Sequence, residues 1–479
     1  MTQSLVAKCS LLLCTCFVLV VIIAFDISII YVSGVSNKMR GLTYLSRRVL
    51  STQPIMTIMR GRTDGVHMLR CAEVVNFDDD SIERCGAVIA SGGLVAFPTE
   101  TVYGLGANAL NATAVQSIFA AKKRPNSDPL IVHVLDKDGM IALFDFSGGS
   151  NGGSLARGIC ESLWDAFCPG PLTIIYKAAA HIPSLVTAGT GYVGVRSPSH
   201  SIALKLLQAS RGLPIAAPSA NRFGHVSPTS SDHVLDDLGD ADVKIIRDDL
   251  HSTGGCRVGL ESTVCRLRVL PEDNSSAELT ILRCGAVTVS MIASALRSRG
   301  LVRITVKVDN ERHLSAKAGP GATAVDAPVV SEDTVVVAPG QMMRHYAPDI
   351  PTFIVSTAAD ATMTIDSSSI DLSSAAVIDF GGRLGDLRDR VRRYVDLSPA
   401  GDLHEACFGL FRELRAAESP EVLSAGVSTV LLPDLRGMVT PPSSDAAVGA
   451  AADTQGLELA LWERMHRAAS GTFIRVRIQ

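Results

Sequence analysis

The sequence predicts an α/β protein built from two units, and three observations lead there. Short apolar strands alternate with helical segments along most of the chain. The composition is 47% hydrophobic and 19% charged with only 5% aromatic residues, which supplies real cores and leans away from a β-sandwich. Ala316 to Glu332, a Gly, Ala, Pro and Val mixture without period, then reads as part of a linker between the units.

In chain order, a helix is expected from Ser81 as N-cap to the Gly92-Gly93 stop, followed by the strand Leu94–Phe97. Asn111 caps a helix over Thr113–Ala121, and Leu130–Val134 is the next strand. Further strands are expected at Leu172–Tyr176, Val193–Val195, Ile215–Ala217, Lys244–Arg247 and Thr263–Leu267, with helices at Ser201–Gln208 and Ser231–Leu238. Ser147–Ser154 and Pro271–Ala277 read as surface loops. The second unit is expected to hold strands at Thr352–Val355, Ala375–Phe380 and Thr429–Leu432. Its helices are Gly401–Ala417 and Leu457–Ala469, with a low-complexity loop around Pro441–Gln455. The expected division is a segment over 1–67, a first domain over 68–305, a linker over 306–350 and a second domain over 351–479.

The first segment stands apart from the fold. Leu11–Val32 is mostly apolar and long enough to span a membrane, although Asp26 within it would cost roughly 2–3 kcal/mol if it lay deep. Met39 to Arg62 carries Arg40, Arg47, Arg48, Arg60 and Arg62 and no acid, the composition of a mitochondrial presequence. Two readings stay open: a signal anchor with the bulk of the chain cytosolic, or a start at Met39 followed by a transit peptide. The expected location is cytoplasmic, mitochondrial or both, with membrane contact only if the apolar segment is retained.

Composition also excludes. A net charge of −4 argues against a protein whose main task is coating nucleic acid. The 11 cysteines form no C-x-x-C pair, against both a disulfide scaffold and a structural zinc site. No P-loop, strand-coupled G-x-G-x-x-G, G-x-S-x-G or H-E-x-x-H is present.

Several segments could carry chemistry. Phe97-Pro98-Thr99-Glu100-Thr101-Val102-Tyr103-Gly104-Leu105-Gly106 reads either as an ordinary strand-to-helix turn or as an edge-of-sheet loop whose glycines let backbone approach a ligand. Lys122 and Arg124 end a helix before a turn bracketed by Pro125 and Pro129; they are either simple caps or fixed cations for a phosphate or carboxylate. His133, on the following strand, taken alone reads as a core histidine. Ser219 and Asn221 in Pro218-Ser219-Ala220-Asn221 follow a strand, at the edge where open α/β sheets bind ligands. Arg196 and Arg283 each lie beside a strand as well, and together with Arg124 they suggest an anion site. The residues alone thus describe an α/β protein with a cationic cleft for a small anionic ligand.

These segments together resemble the YrdC/Sua5 family of threonylcarbamoyl-AMP synthases. The matching blocks are Pro98–Leu105, Lys122-x-Arg124-Pro125 with Pro129–His133, Val195-Arg196-x-Pro198, Pro218–Asn221, Gly259-Leu260-Glu261-Ser262-Thr263-Val264 and Leu282-Arg283-x-Gly285, in that order. Ala338–Pro348, with His345-Tyr346, resembles the family's linker, and Leu397–Leu403 and Gly456–Ala460 resemble its C-terminal domain. The resemblance implies a YrdC-like twisted-sheet catalytic domain, a linker, and a smaller Rossmann-like α/β Sua5 domain. It implies condensation of L-threonine, bicarbonate and ATP to threonylcarbamoyl-AMP and pyrophosphate, by a nucleotidyltransferase that serves threonylcarbamoylation of adenosine in ANN-decoding tRNAs. The product would pass to the tRNA threonylcarbamoyl transferase machinery; weak binding to tRNA or double-stranded RNA is a further partner this reading allows.

Carried over residue by residue, the resemblance implies that Thr101, His133, Arg196 and Ser262 hold threonine. Lys122, Arg124, Ser219 and Asn221 form the catalytic set, and Arg124, Asp128, Ser219, Ser227, Arg283 and Tyr346 bind ATP, with Tyr346 closing as a lid. Mg2+ is expected with the ATP, but no residues are assigned as its ligands. The sequence departs from the family pattern at Asp128, commonly Asn; at Lys123, commonly Gly; and at Gln341-Met342-Met343. Two other classes fit the sequence less well. An RNA-binding module conflicts with the charge balance, and a hydrogenase-maturation carbamoyl transferase lacks here its zinc-finger Cys pairs and acylphosphatase-like domain.

Overall fold

The computed structural model describes residues 71–148, 152–248, 255–270, 275–309, 345–356, 364–366, 370–438 and 450–475. The segment 1–67, the stretch Ala316–Glu332, residues 338–344 of the linker motif and most of the expected 441–455 loop lie outside these. Among the described residues no helix is long and apolar enough to cross a membrane.

Eleven strands form the first sheet. They are β1 (Glu73–Asn76), β2 (Val95–Phe97), β3 (Gly104–Asn108), β4 (Ile131–His133), β5 (Leu172–Lys177), β6 (Tyr192–Arg196), β7 (Ile215–Ala216), β8 (Lys244–Arg247), β9 (Thr263–Val269), β10 (Ala277–Arg283) and β11 (Ile304–Val308). Their spatial order is β1-β8-β2-β3-β7-β4-β6-β5-β9-β10-β11, with parallel and antiparallel neighbours mixed. The second sheet holds β12 (Thr352–Val355), β13 (Thr364–Asp366), β14 (Ala375–Asp379), β15 (Arg393–Asp396), β16 (Thr429–Pro433) and β17 (Phe473–Arg475). Its order is β13-β17-β12-β16-β14-β15 and all its pairings are parallel, so apolar runs such as Ala375–Ile378 are buried on both faces. The two-sheet α/β architecture is the one the sequence predicts.

Local chemistry explains where elements start. The helix Asp79–Ala90 begins earlier than expected: Asp78, not Ser81, is the N-cap, and its carboxylate accepts from the Ser81 backbone N–H at 2.7 Å. Ser81 is instead a buried first-turn residue. The helix lays Ile82, Cys85 and Ile89 against Ile202 and Leu206 of the helix Ser201–Ala209, each such burial being worth about 1.5–3 kcal/mol. Asn111 caps the helix Ala112–Lys122 as expected, accepting from Thr113 and Ala114.

That helix ends on Lys123, whose φ of 53° is left-handed. A side chain at this C-terminal position is strained where glycine would not be. Lys123→Gly is therefore expected to stabilise the protein by about 0.5–1 kcal/mol, read as a higher thermal midpoint. A lowered midpoint would contradict the assignment of strain.

Two expectations fail here. Pro98–Tyr103 is a loop as expected, but it leads into strand β3 and not into a helix, and Gly104 and Gly106 belong to that strand. A Cβ on Gly106 would meet the Ile215 and Phe97 side chains at 2.8 Å, so this glycine serves sheet packing. The stretch Ser147–Ser154 is not all loop, because Gly152–Ser154 already form the first turn of the helix Gly152–Phe167. Of Pro271–Ala277, residues 271–274 lie outside the description and Ala277 opens β10.

Candidate active site

Neighbouring strands bring the sequence-predicted residues together. His133 and Arg196 end β4 and β6 and are register partners, so adjacent parallel strands present both side chains at one sheet edge. Gly104 of β3 bridges Ser219, just past β7, and Arg283 ends β10 opposite Val264. A cleft of about 510 Å³ opens over these ends. Thr101, Arg124, His133, Arg196, Ser219, Arg283 and Tyr346 line it, together with Thr99, Gly104, Glu261 and His345.

Arg196 is buried and already engaged. It donates to Glu100 Oε1 at 2.5 Å and to Thr101 Oγ1 at 3.1 Å, while its Nε has no partner among the described residues. Glu100 also accepts from the Ser199 backbone N–H at 3.0 Å. The Thr-Glu-Thr motif thus fixes a guanidinium at the cleft and commits only two of its five N–H donors. His133 packs edge-on to Phe97, and its Nδ1 has no partner among the described residues. Burial, reinforced by the Arg196 charge, holds its pKa well below the ordinary histidine value, so it is neutral at pH 7.

Ser262 lies behind the cleft wall. Its hydroxyl pairs with Thr173 Oγ1 at 2.8 Å and accepts from Arg283 Nη2 at 3.1 Å, and its carbonyl accepts from Arg283 Nε at 3.0 Å. It thereby sets the orientation of Arg283. Arg124 spans its own turn, donating to Pro129 O at 2.8 Å and lying 2.9 Å from the Asp128 carboxylate. Asp128, with its carboxylate tied to Arg124, is not among the cleft-lining residues.

Lys122 is not a cleft residue either. It is 1% exposed, and its ammonium donates to Ser219 O at 2.5 Å and to Asn221 O. Burial, then the neighbouring Arg124 charge, pushes its pKa well down. Ser219 Oγ donates to Asn221 Oδ1 at 2.5 Å, and Asn221 Nδ2 donates to His225 O at 2.8 Å. Lys122 and Asn221 therefore shape the loop that presents Ser219. Ser227 also lies outside the lining, donating to Glu261 Oε1 at 2.5 Å.

Tyr346 has φ 62°, is 1% exposed and packs between His345 and Phe411, with ring centroids 4.1 and 5.3 Å away. Burial and the Glu261 charge raise its phenol to about 12, and its hydroxyl has no partner among the described residues. Phe411 belongs to the helix Leu403–Ala417 of the second sheet's unit, so that unit backs one wall of the cleft.

Glu100, Glu261 and His345 received no role from the sequence, although each stands inside a quoted motif. An acid between two hydroxyl-bearing residues was the available signal for Glu100.

A second cluster joins the two units. His225 pairs with Asp237 at 2.8 Å and with Glu418 at 2.7 Å, and Arg415 donates to Asp237 Oδ2 at 2.8 Å. Burial alone would lower the His225 pKa, but the two carboxylates outweigh it and raise it to about 9. A folded pKa above the unfolded one contributes stability that is complete below the unfolded value and lost as pH rises through the folded value. The thermal midpoint is expected to fall as pH rises from about 7 through about 9.5, and less so in His225→Gln. Equal alkaline loss in both proteins would contradict this role for His225.

Comparison with known proteins adds to the geometry. A family described as "Telomere recombination" (Sua5/YciO/YrdC) matches residues 87–285. A second, "Threonylcarbamoyl-AMP synthase, C-terminal domain", matches residues 287–470. The threonylcarbamoyl-AMP synthase of Pyrococcus abyssi is 37% identical over 277 residues, covering 57% of this chain and 67% of the relative. The Bacillus subtilis protein of the same name is 37% identical over 278 residues, covering 57% of this chain and 66% of the relative. The crystal structure of P. abyssi Sua5 complexed with L-threonine superposes with a TM-score of 0.60 at 29% identity, covering 85% of this chain and 99% of that one.

Proposed function

The chain belongs to the Sua5/YrdC family, and on that premise we propose that it is an L-threonylcarbamoyladenylate synthase. It acts as a nucleotidyltransferase that joins L-threonine, bicarbonate and ATP into threonylcarbamoyl-AMP and pyrophosphate, for tRNA threonylcarbamoylation. The observation that carries this reading is a single cleft where Arg124, Arg196 and Arg283 stand fixed beside neutral His133 and Thr101.

The reaction needs the carboxylate of a threonine carbamate to attack the α-phosphorus in line while pyrophosphate leaves. No covalent nucleophile is required; holding two anions in register carries the rate. Thr101, His133 and Arg196 form the threonine end, with Arg196 on the carboxylate through its uncommitted N–H groups. Arg124, Ser219 and Arg283 face the triphosphate. Lys122, Asn221, Ser227 and Ser262 act from behind the wall, holding the loops in place. Asp128 acts through Arg124, and Tyr346 closes the nucleotide end.

Mg2+ accompanies the ATP in this reading, but among the described residues the cleft lining forms no carboxylate cage for it. Among the described residues Glu261 is the lone carboxylate in the cleft lining, and Ser227 and Arg464 already occupy it. The proposed location is the cytosol, the mitochondrion or both, with membrane anchoring if the apolar N-terminal segment is retained, and sequencing the mature N-terminus decides among them.

The test is pyrophosphate release with ATP, threonine and bicarbonate together and with each omitted in turn. Release that requires all three supports the synthase. ATP cleavage indifferent to threonine would overturn it.

A further inference from the structure

Arg464 is 0% exposed, and it comes from the C-terminal helix Ala450–Ala468. It nevertheless reaches the wall of the cleft. Its Nε stands 3.2 Å from Glu261 Oε2, its Nη1 donates to the Cys284 carbonyl at 2.7 Å, and its Cζ lies 5.6 Å from the Tyr346 ring centroid. Glu463 Oε2 is 3.1 Å from the same Nη1, and Nη2 has no partner among the described residues. Glu261 and Tyr346 both line the cleft, and Cys284 follows Arg283 directly. One guanidinium from the second unit therefore touches three parts of the site.

The loop bearing Glu261 is pressed against that unit elsewhere too. Gly259, with φ 72°, lies so close to the helix Leu403–Ala417 that an added Cβ would stand 2.5 Å from Phe408 Cα. The loop's position is thus set by the second unit through backbone contact and through Arg464.

We infer that Arg464 is a positioning residue for the adenylation cleft: it holds the Glu261 carboxylate, the Cys284 carbonyl beside Arg283, and the Tyr346 ring in the arrangement that receives the nucleotide. This rests on the synthase reading above. The planar guanidinium suits the task because it donates in several fixed directions at once, which an ammonium does not. Without it, Glu261 keeps only the Ser227 hydroxyl and becomes a buried carboxylate next to the cations meant for the triphosphate.

The test uses the full chain and follows steady-state pyrophosphate release. Arg464→Met is expected to raise the KM for ATP and to lower kcat/KM about a hundredfold, leaving the KM for threonine within about twofold. Arg464→Lys is expected to fall in between. Glu261→Gln and the double variant complete a cycle in which the double loses no more than the worse single within about twofold, because both act through one contact. Multiplicative losses in the double variant, or a wild-type KM for ATP in Arg464→Lys, would overturn the inference even if Arg464→Met fails to fold. A wild type that releases no pyrophosphate overturns the synthase reading and the inference with it, a result distinct from an active wild type with multiplicative variants.

Discussion

Arg196→Ala is expected to reduce threonine-dependent pyrophosphate release by about a thousandfold, through lost charge neutralisation at the carboxylate end. The guanidinium is also half of a buried ion pair, bonded to Glu100 and Thr101. Its removal leaves Glu100 with only the Ser199 amide, and breaking such a pair costs about 3–5 kcal/mol, so the thermal midpoint should fall as well. Calorimetry separates the two effects. Folded variant should bind ATP with near wild-type affinity while threonine binding disappears. Retained threonine affinity would contradict the assignment of Arg196 to the amino-acid end.

Lys122→Met should be comparably severe for a different reason. Methionine matches the length and tolerates the burial but donates nothing. Two carbonyls, Ser219 O and Asn221 O, would lose their donor, at about 1–3 kcal/mol each. The loop that presents Ser219 would relax, and the KM for ATP should rise sharply along with a lower thermal midpoint. Activity lost with unchanged stability would instead mean that Lys122 reaches the phosphates directly.

The contrast between Lys122 and Arg196 shows what the sequence could and could not disclose. That both matter was legible, because Lys122-x-Arg124-Pro125 and Val195-Arg196-x-Pro198 stand in ordered blocks beside strands. Which one faces the ligand was not, because that depends on where Ser219 and Asn221 arrive after folding, 97 and 99 residues further on. Elements with strong local signals, such as the Asn111-capped helix, were readable. Strand β3 was not, since Gly-Leu-Gly-Ala-Asn has poor strand propensity and pairs only because Phe97 and Ile215 fill the space beside Gly106. The N-cap at Asp78 was missed within a run of three aspartates, where several side chains could have capped. Arg464 had no local signal at all: it sits in an amphipathic helix, and its partner Glu261 is 203 residues away.

That separation also gives the second unit a part in the chemistry. Arg464, Arg415 and Glu418 contact the first unit, and Phe411 packs on Tyr346 of the linker at the cleft. The alkaline sensitivity expected from His225 and the nucleotide dependence expected from Arg464 therefore report on one interface by independent readouts.

The most direct test of the synthase itself follows carbon instead of phosphate. The protein is incubated with ATP, threonine and isotopically labelled bicarbonate, and the nucleotide products are resolved by mass spectrometry. Labelled carbon in an adduct that carries both AMP and threonine is the predicted result. AMP and pyrophosphate formed without any labelled threonine adduct would contradict the account.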